Sequence, residues 1–166
     1  MKYFIGVVIV FIIISMLYTK MYMKRYFKVL EERNVYKSYY HLLLNWQAIQ
    51  AEGRSVGEFL LKNGMSNIAI YGAGMIGGLL EKELNNCEVN IKVYIDQKCK
   101  LVDSGTEVID LASVANKIDN GQISDVDAII ITPVYHFRRI KQELLLSGIS
   151  QPIVALDYLI WQIKNS

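Results

Sequence analysis

The stretch NIAIYGAGMIGGLLEKEL, Asn67 to Leu84, restricts the fold of this chain more than any other part of it. A short β-type run breaks into a corner holding Gly72, Gly74, Gly77 and Gly78, and the corner opens a helical pattern over Met75 to Asn85. A strand that turns directly into a helix is half of a βαβ unit, because a parallel partner strand can be reached only by a crossover. The alternation continues to the end of the chain. VNIKVYID reads as a second strand, and TEVID as a short third one followed by a helix near Leu111 to Ile118. DAIIIT is a fourth strand with its helix at Phe137 to Leu146, and PIVAL a fifth with a last helix from Asp157 onward. Unbroken apolar strands such as Ala128 to Ile131 suit a parallel sheet covered on both faces. Right-handed crossovers then predict a doubly wound sheet in the order 3-2-1-4-5. The connection QKCKLVDSG between strands two and three is too short and polar for a crossover helix, which makes the domain an abbreviated one.

At the other end of the chain, Phe4 to Leu17 is apolar apart from Gly6 and Ser15. YFIGVVIVFIIISMLY, extended through TKMYM with Lys20 snorkelling, gives about 20 residues, which at ~1.5 Å each reaches across a hydrocarbon core of ~30 Å. A cleaved signal peptide would want small residues after the apolar run, and MLYTKMYMKRYFK is bulky and basic instead. The expectation is an uncleaved single-pass anchor over residues 1–23. Lys20, Lys24, Arg25 and Lys28 follow the span and only Lys2 precedes it, so the C-terminal side is expected in the cytoplasm. Tyr18, Tyr22, Tyr26 and Phe27 suit the interfacial belt.

Residues 24–66 read as a helical connector. Lys24 to Ala51 contains no Pro or Gly, and Tyr36, Tyr39, Tyr40, Leu43 and Trp46 recur at steps of three and four. That face fits packing onto the chain's own domain, a dimer seam or a stripe on a membrane surface. Gly53 ends the helix, Ser55 with Glu58 forms a capping box for a short second one, and Gly64 is placed to close it in the left-handed conformation. Residues 67–166 form the predicted α/β domain.

In a sheet of this order the ligand position lies beyond the carboxyl ends of the strands, where the order reverses between strands one and four. Three features fall there. Gly72-Ala73-Gly74-Met75-Ile76-Gly77 is a full GxGxxG between strand and helix. Gly72 permits the tight turn, Gly74 the approach of a pyrophosphate, and Gly77 close packing of helix on strand, with the free amides at the helix start favouring an anion. Asp96 closes the second strand nineteen residues after Gly77, where a carboxylate accepts from both hydroxyls of a ribose and favours NAD over NADP. It also reads as a solvated acid opening a turn. Thr132 and Pro133 end the fourth strand on the same crevice. Tyr135 and His136 are the only proton-transfer groups near that end, although His136 also suits a plain helix start. Arg138 and Arg139 fall in a first helical turn, where the dipole disfavours cations and an anion would relieve them.

Charge narrows the partners. Residues 1–66 carry nine Lys/Arg against four Asp/Glu, and the remainder nine against twelve, so the globular part is mildly acidic and unsuited to nucleic acid. Cys87 and Cys99 lack ligand spacing and read as free cytosolic thiols, with no metal implied.

With IAIYGAGMIGGLLEKEL, KVYIDQK, TEVIDL and DAIIITPVY in view, the part from about Asn67 to Leu156 resembles a Rossmann-like domain of bacterial surface-polysaccharide proteins. It looks like the N-terminal nucleotide-binding domain of sialic-acid-type sugar O-acyltransferases, and is similar to the nucleotide-binding-like domain of membrane-bound sugar transferases. The resemblance implies that Gly72 to Gly77, Asp96, Thr132 and Pro133 hold a nucleotide or nucleotide sugar. No hexapeptide-repeat or sugar-transferase module follows the last strand, so transferase activity is not implied. The expected function is a membrane-anchored module binding NAD(P) or a nucleotide sugar, accessory to cell-surface polysaccharide biosynthesis, with no catalytic residues of its own. Its expected partners are the membrane, the nucleotide, and either a second copy in a homodimer or a polysaccharide-biosynthesis enzyme. Two alternatives stand beside it: a small NAD-dependent oxidoreductase or epimerase using Tyr135 or His136, and a non-binding scaffold for protein interaction. Against the enzyme, the nucleotide fold leaves little chain to enclose a second substrate.

Overall fold

The computed structural model describes residues 2–97, 105–119 and 125–166, apart from the side chains of residues 2, 3, 5, 7–10, 115, 116, 118 and 119. Most of the QKCKLVDSG connection, Cys99 included, lies outside them. The chain forms two compact units, Met1–Ser38 and Tyr39–Ser166, and the division falls within the first helix, α1 (Lys2–Ala51).

In the first unit the side chains described from Phe11 to Val29 are exposed, among them Phe11, Leu17, Tyr18, Tyr22 and Phe27. Among the described residues no helix is long and apolar enough to cross a membrane. The span expected at residues 1–23 falls partly on side chains outside the described residues, since Ile5 and Val7 to Val10 belong to its apolar run.

The second unit is α/β. Its five strands are β1 (Asn67–Tyr71), β2 (Asn90–Ile95), β3 (Val108–Ile109), β4 (Ala128–Ile131) and β5 (Ile153–Ala155). All four pairings are parallel, in the order β3-β2-β1-β4-β5 expected from the handedness of crossovers. The register of β1 on β2 shifts once, between Ile68 and Ala69. The helices are α2 (Val56–Lys62), α3 (Met75–Leu84), α4 (Leu111–Asp119), α5 (Phe137–Leu146) and α6 (Leu156–Lys164).

Side-chain alternation assigns the two faces of the sheet. Ile68, Ile70, Tyr94 and Ile130 pack with Leu42, Trp46 and Ile49 of α1 and with the apolar residues of α2, α3 and α6. Ala69, Tyr71, Val93, Ile95, Ile129 and Ile131 pack with Val114 of α4 and with Ile140 and Leu144 of α5. Burying one such Ile or Leu stabilises the fold by about 1.5–3 kcal/mol, which is why the central strand β4 carries no polar alternation. The aromatic face of α1 is divided. Tyr39, Leu43 and Trp46 join the core, whereas Tyr40 remains exposed.

The helix ends follow their local chemistry. Gly53, Gly64 and Gly148 take positive φ, and each follows a helix whose carbonyls are closed by paired amide bonds, as Met65 N to Leu60 O (2.9 Å) and Gly64 N to Leu61 O (3.0 Å) close α2. At the start of α2, Ser55 Oγ accepts the Glu58 amide at 3.1 Å. The Val56 amide instead reaches Glu83 Oε1 at 2.6 Å. Oε2 of the same carboxylate accepts from Trp46 Nε1 (2.5 Å) and Gln50 Nε2 (2.8 Å), so a single acid ties α1 and α2 to α3.

Replacing Glu83 by Ala leaves three donors without their acceptor, and is expected to lower unfolding stability by about 2–4 kcal/mol. Urea denaturation checks it: the midpoint falls, and an unchanged midpoint would show that the three bonds hold nothing.

Candidate functional site

The glycine corner is built by contact with two strands. Gly72, at the end of β1, has φ +104°, and its amide bonds to Ile95 O at 2.9 Å. A Cβ built on it would lie 2.5 Å from Thr132 Oγ1 and 2.9 Å from Pro133 Cδ. A Cβ on Gly77 would stand 2.1 Å from the Gly72 carbonyl oxygen, inside any permitted contact. These two glycines are therefore required by conformation and packing.

The other two are not. Gly74 has φ −86° and ψ −166°, a region open to any residue, and Gly78 is helical. A Cβ on either would meet nothing within 4 Å. Gly74 caps α3 with no side-chain bond to the helix, and the first amide to reach back is Gly78 N, to Gly74 O at 3.0 Å. The amides of Met75, Ile76 and Gly77 precede that bond and stand at the positive end of the helix. Ile76 buries its side chain in the core, while Met75 is 73% exposed at the mouth of the turn.

The remaining expected residues converge here. Asp96 is held at the end of β2 by its amide bond to Ile109 O (2.9 Å), and its Oδ2 accepts the Ala73 amide at 2.8 Å. Thr132 is buried, and its hydroxyl donates towards the carbonyls of Tyr71 (3.1 Å) and Gly72 (3.2 Å). Gly72 to Gly77, Asp96, Thr132 and Pro133 thus form one corner at the point where strand order reverses. Within it, Asp96 and Thr132 already carry internal bonds. Tyr135 and His136 follow on a 3-10 turn (Val134–His136), their rings edge to face at 5.0 Å. Arg138 and Arg139 do occupy the first turn of α5, and Arg139 Nη1 pairs with Glu143 Oε1 at 3.0 Å. Among the described residues no group of three or more His, Cys, Asp or Glu is placed to hold a metal.

Beneath the corner lies a polar pair that the sequence reading passed over. Tyr94 is fully buried on β2, its hydroxyl donates to Gly77 O at 3.4 Å, and Glu81 of α3 lies close enough to act on it. Burial first, and then the charge of Glu81, push the Tyr94 hydroxyl well above the usual phenol range. Tyr71, on the opposite face, is raised by burial first and then by the charge of Glu143, with Arg139 opposing. The available signal was Glu81 itself, four residues after Gly77 inside the buried stripe Ile76, Gly77, Leu80, Leu84. Elsewhere, a depression of about 470 Å³ is lined by Gln97, Asp110, Leu111, Ala112 and Ser147, with no residue of the glycine corner. Asp110 there caps α4, accepting the Ser113 amide at 2.7 Å. Its bonds to Ser113 hold its carboxyl below the ordinary carboxylate range.

The corner thus presents helix-start amides that no side chain caps, a carboxylate beside them, and open space above Gly74.

A tyrosine whose folded-state pKa is raised contributes stability that is complete below its unfolded value near pH 10 and is lost as the pH rises through the folded value. Tyr94→Phe is expected to cost about 0.5–1.5 kcal/mol at neutral pH, because the bond from the hydroxyl to the Gly77 carbonyl is lost. It should also flatten the loss of stability above about pH 10. Thermal melts from pH 7 to 11 check both; a variant as steep as the parent in alkali would remove Tyr94 as the cause.

Comparison of the chain with family models, curated proteins and solved structures found no match in any of the three.

Proposed function

We propose that this chain is a membrane-anchored, Rossmann-like module that binds NAD(P) or a nucleotide sugar and serves bacterial cell-surface polysaccharide biosynthesis as an accessory protein rather than as a complete enzyme. The observation that carries the binding part is the division of the four glycines. Gly72 and Gly77 are accounted for by the fold, whereas Gly74 stands extended at an uncapped helix start with nothing within 4 Å of a Cβ. A glycine there keeps the approach to the helix amides clear, which a phosphate needs and the empty fold does not. Asp96 adds a carboxylate at the place where a ribose diol is held, its Oδ2 also orienting the Ala73 amide. The membrane part rests on the apolar run Phe4 to Leu17 and the basic residues after it. The polysaccharide assignment rests on the resemblance of the glycine turn, YID and EVIDL segments alone.

A second reading, a scaffold that binds no nucleotide, is favoured by the internal bonds of Asp96 and Thr132. One experiment separates the two. The full chain in detergent is melted with NAD, UDP-sugars or CoA, where a ligand at a hundred times its Kd adds about 2.7 kcal/mol of stability. Gly74→Val should lower the ligand-free stability by about 1 kcal/mol, the cost of valine at a helix cap, since it meets no neighbour, and abolish the ligand's effect. Stabilisation by none of these compounds, or stabilisation that survives Gly74→Val, would sink the binding reading in favour of the scaffold.

A further inference from the structure

We propose that the exposed stripe Tyr22, Tyr26, Val29, Arg33 and Tyr36 of α1 is the seam of a parallel, in-register pairing with a second copy of this chain. The spacing runs four, three, four, three, a mean of 3.5 residues, which is the period of a left-handed two-helix coil. Tyr22, Tyr26, Val29 and Tyr36 are 59, 53, 64 and 75% exposed. Met21, Met23 and Phe27 off the stripe are exposed as well, so it is the 3.5-residue period rather than exposure that marks these positions as a seam.

Charge chooses the occupant. With Tyr26 and Arg33 at one repeating position of the seam and Val29 and Tyr36 at the other, Glu32 and Lys37 fall on its two flanks. In a parallel pair the flank residue of one helix meets the residue five positions on in the other. Glu32 then faces Lys37 of the second copy, and Arg33 inside the seam reaches the same Glu32. The Lys28–Glu32 pair within the helix, 3.9 Å apart with both side chains largely exposed, does not withhold the carboxylate. A bilayer surface would favour flanks of one basic sign, and Glu31 and Glu32 break that pattern. The seam spans roughly 21 Å at 1.5 Å per residue, too short to pair well in dilute solution. Two anchors in one membrane hold the helices in the same direction and raise their effective concentration. The parallel direction therefore rests on the anchor reading.

The test uses the full chain in the membranes of the expressing cells, with Cys87→Ser and Cys99→Ser as background. Val29→Cys is expected to give a reducible dimer on mild oxidation, several-fold above Lys28→Cys and Glu31→Cys, which lie off the stripe. Glu32→Lys should lower that yield, and adding Lys37→Glu should restore it. Equal yields at positions 28, 29 and 31, no dimer at 29, or a yield indifferent to Glu32→Lys would overturn the seam. So would dimers formed only when Tyr26→Cys chains are mixed with Val29→Cys chains, since 26 faces 29 in an antiparallel pair. Alkaline carbonate extraction separates the two readings. Release of a chain that still cross-links at 29 removes the anchor and keeps the pairing, whereas a retained chain that fails to cross-link keeps the anchor and removes the pairing.

Discussion

Between the end of β1 and the first turn of α3 there is room for a hydrogen atom and nothing larger. A methyl at position 77 would come within 2.1 Å of the Gly72 carbonyl oxygen, and one at 72 would run into Thr132 and Pro133. That double contact draws the helix start onto the sheet between β1 and β4. It also leaves the first amides of α3 pointing out past the strand ends, where no side chain caps them. The same closeness brings Gly77 over Tyr94 and sets Glu81 within reach of the buried hydroxyl. The close packing and the outward-facing amides are consequences of two missing Cβ atoms.

Acidic residues serve the fold as acceptors at the junctions of the chain. Asp127 Oδ2 accepts the amides of Ser66 (2.9 Å) and Asn67 (2.7 Å), joining the entry of β1 to that of β4. Glu83 gathers an indole, an amide side chain and a helix-start amide from α1 and α2. Asp96 does the same at the glycine corner through the Ala73 amide. Charge-assisted bonds of this kind are stronger than neutral ones, and each satisfies a backbone or side-chain donor at the edge of the core. The mildly acidic balance of the globular unit is thus partly structural.

Much of the fold was legible because it depends on neighbours in sequence. Phe137 to Leu146 is helical at those bounds, Gly64 closes α2 with positive φ, and the strand order follows from a handedness shared by all parallel crossovers. TEVID was legible only in part, since β3 keeps two residues, Val108 and Ile109. The aromatic face of α1 read as one stripe, yet Tyr39 and Trp46 are packed and Tyr40 is not. Its residues look alike in sequence, and burial depends on where the sheet and α6 lie.

The sequence by itself determined the alternation of elements, the parallel sheet and the placing of a glycine turn, an acid and a Thr-Pro end at one crevice, because local periodicity and chain handedness are enough for those. Only the tertiary structure decided which glycines are structural and which are spare, and that Glu81 and Glu83 act inside the fold rather than on its surface. Those distinctions turn on distances between residues far apart in the chain, such as the 2.5 Å from Trp46 Nε1 to Glu83 Oε2, which no local pattern encodes.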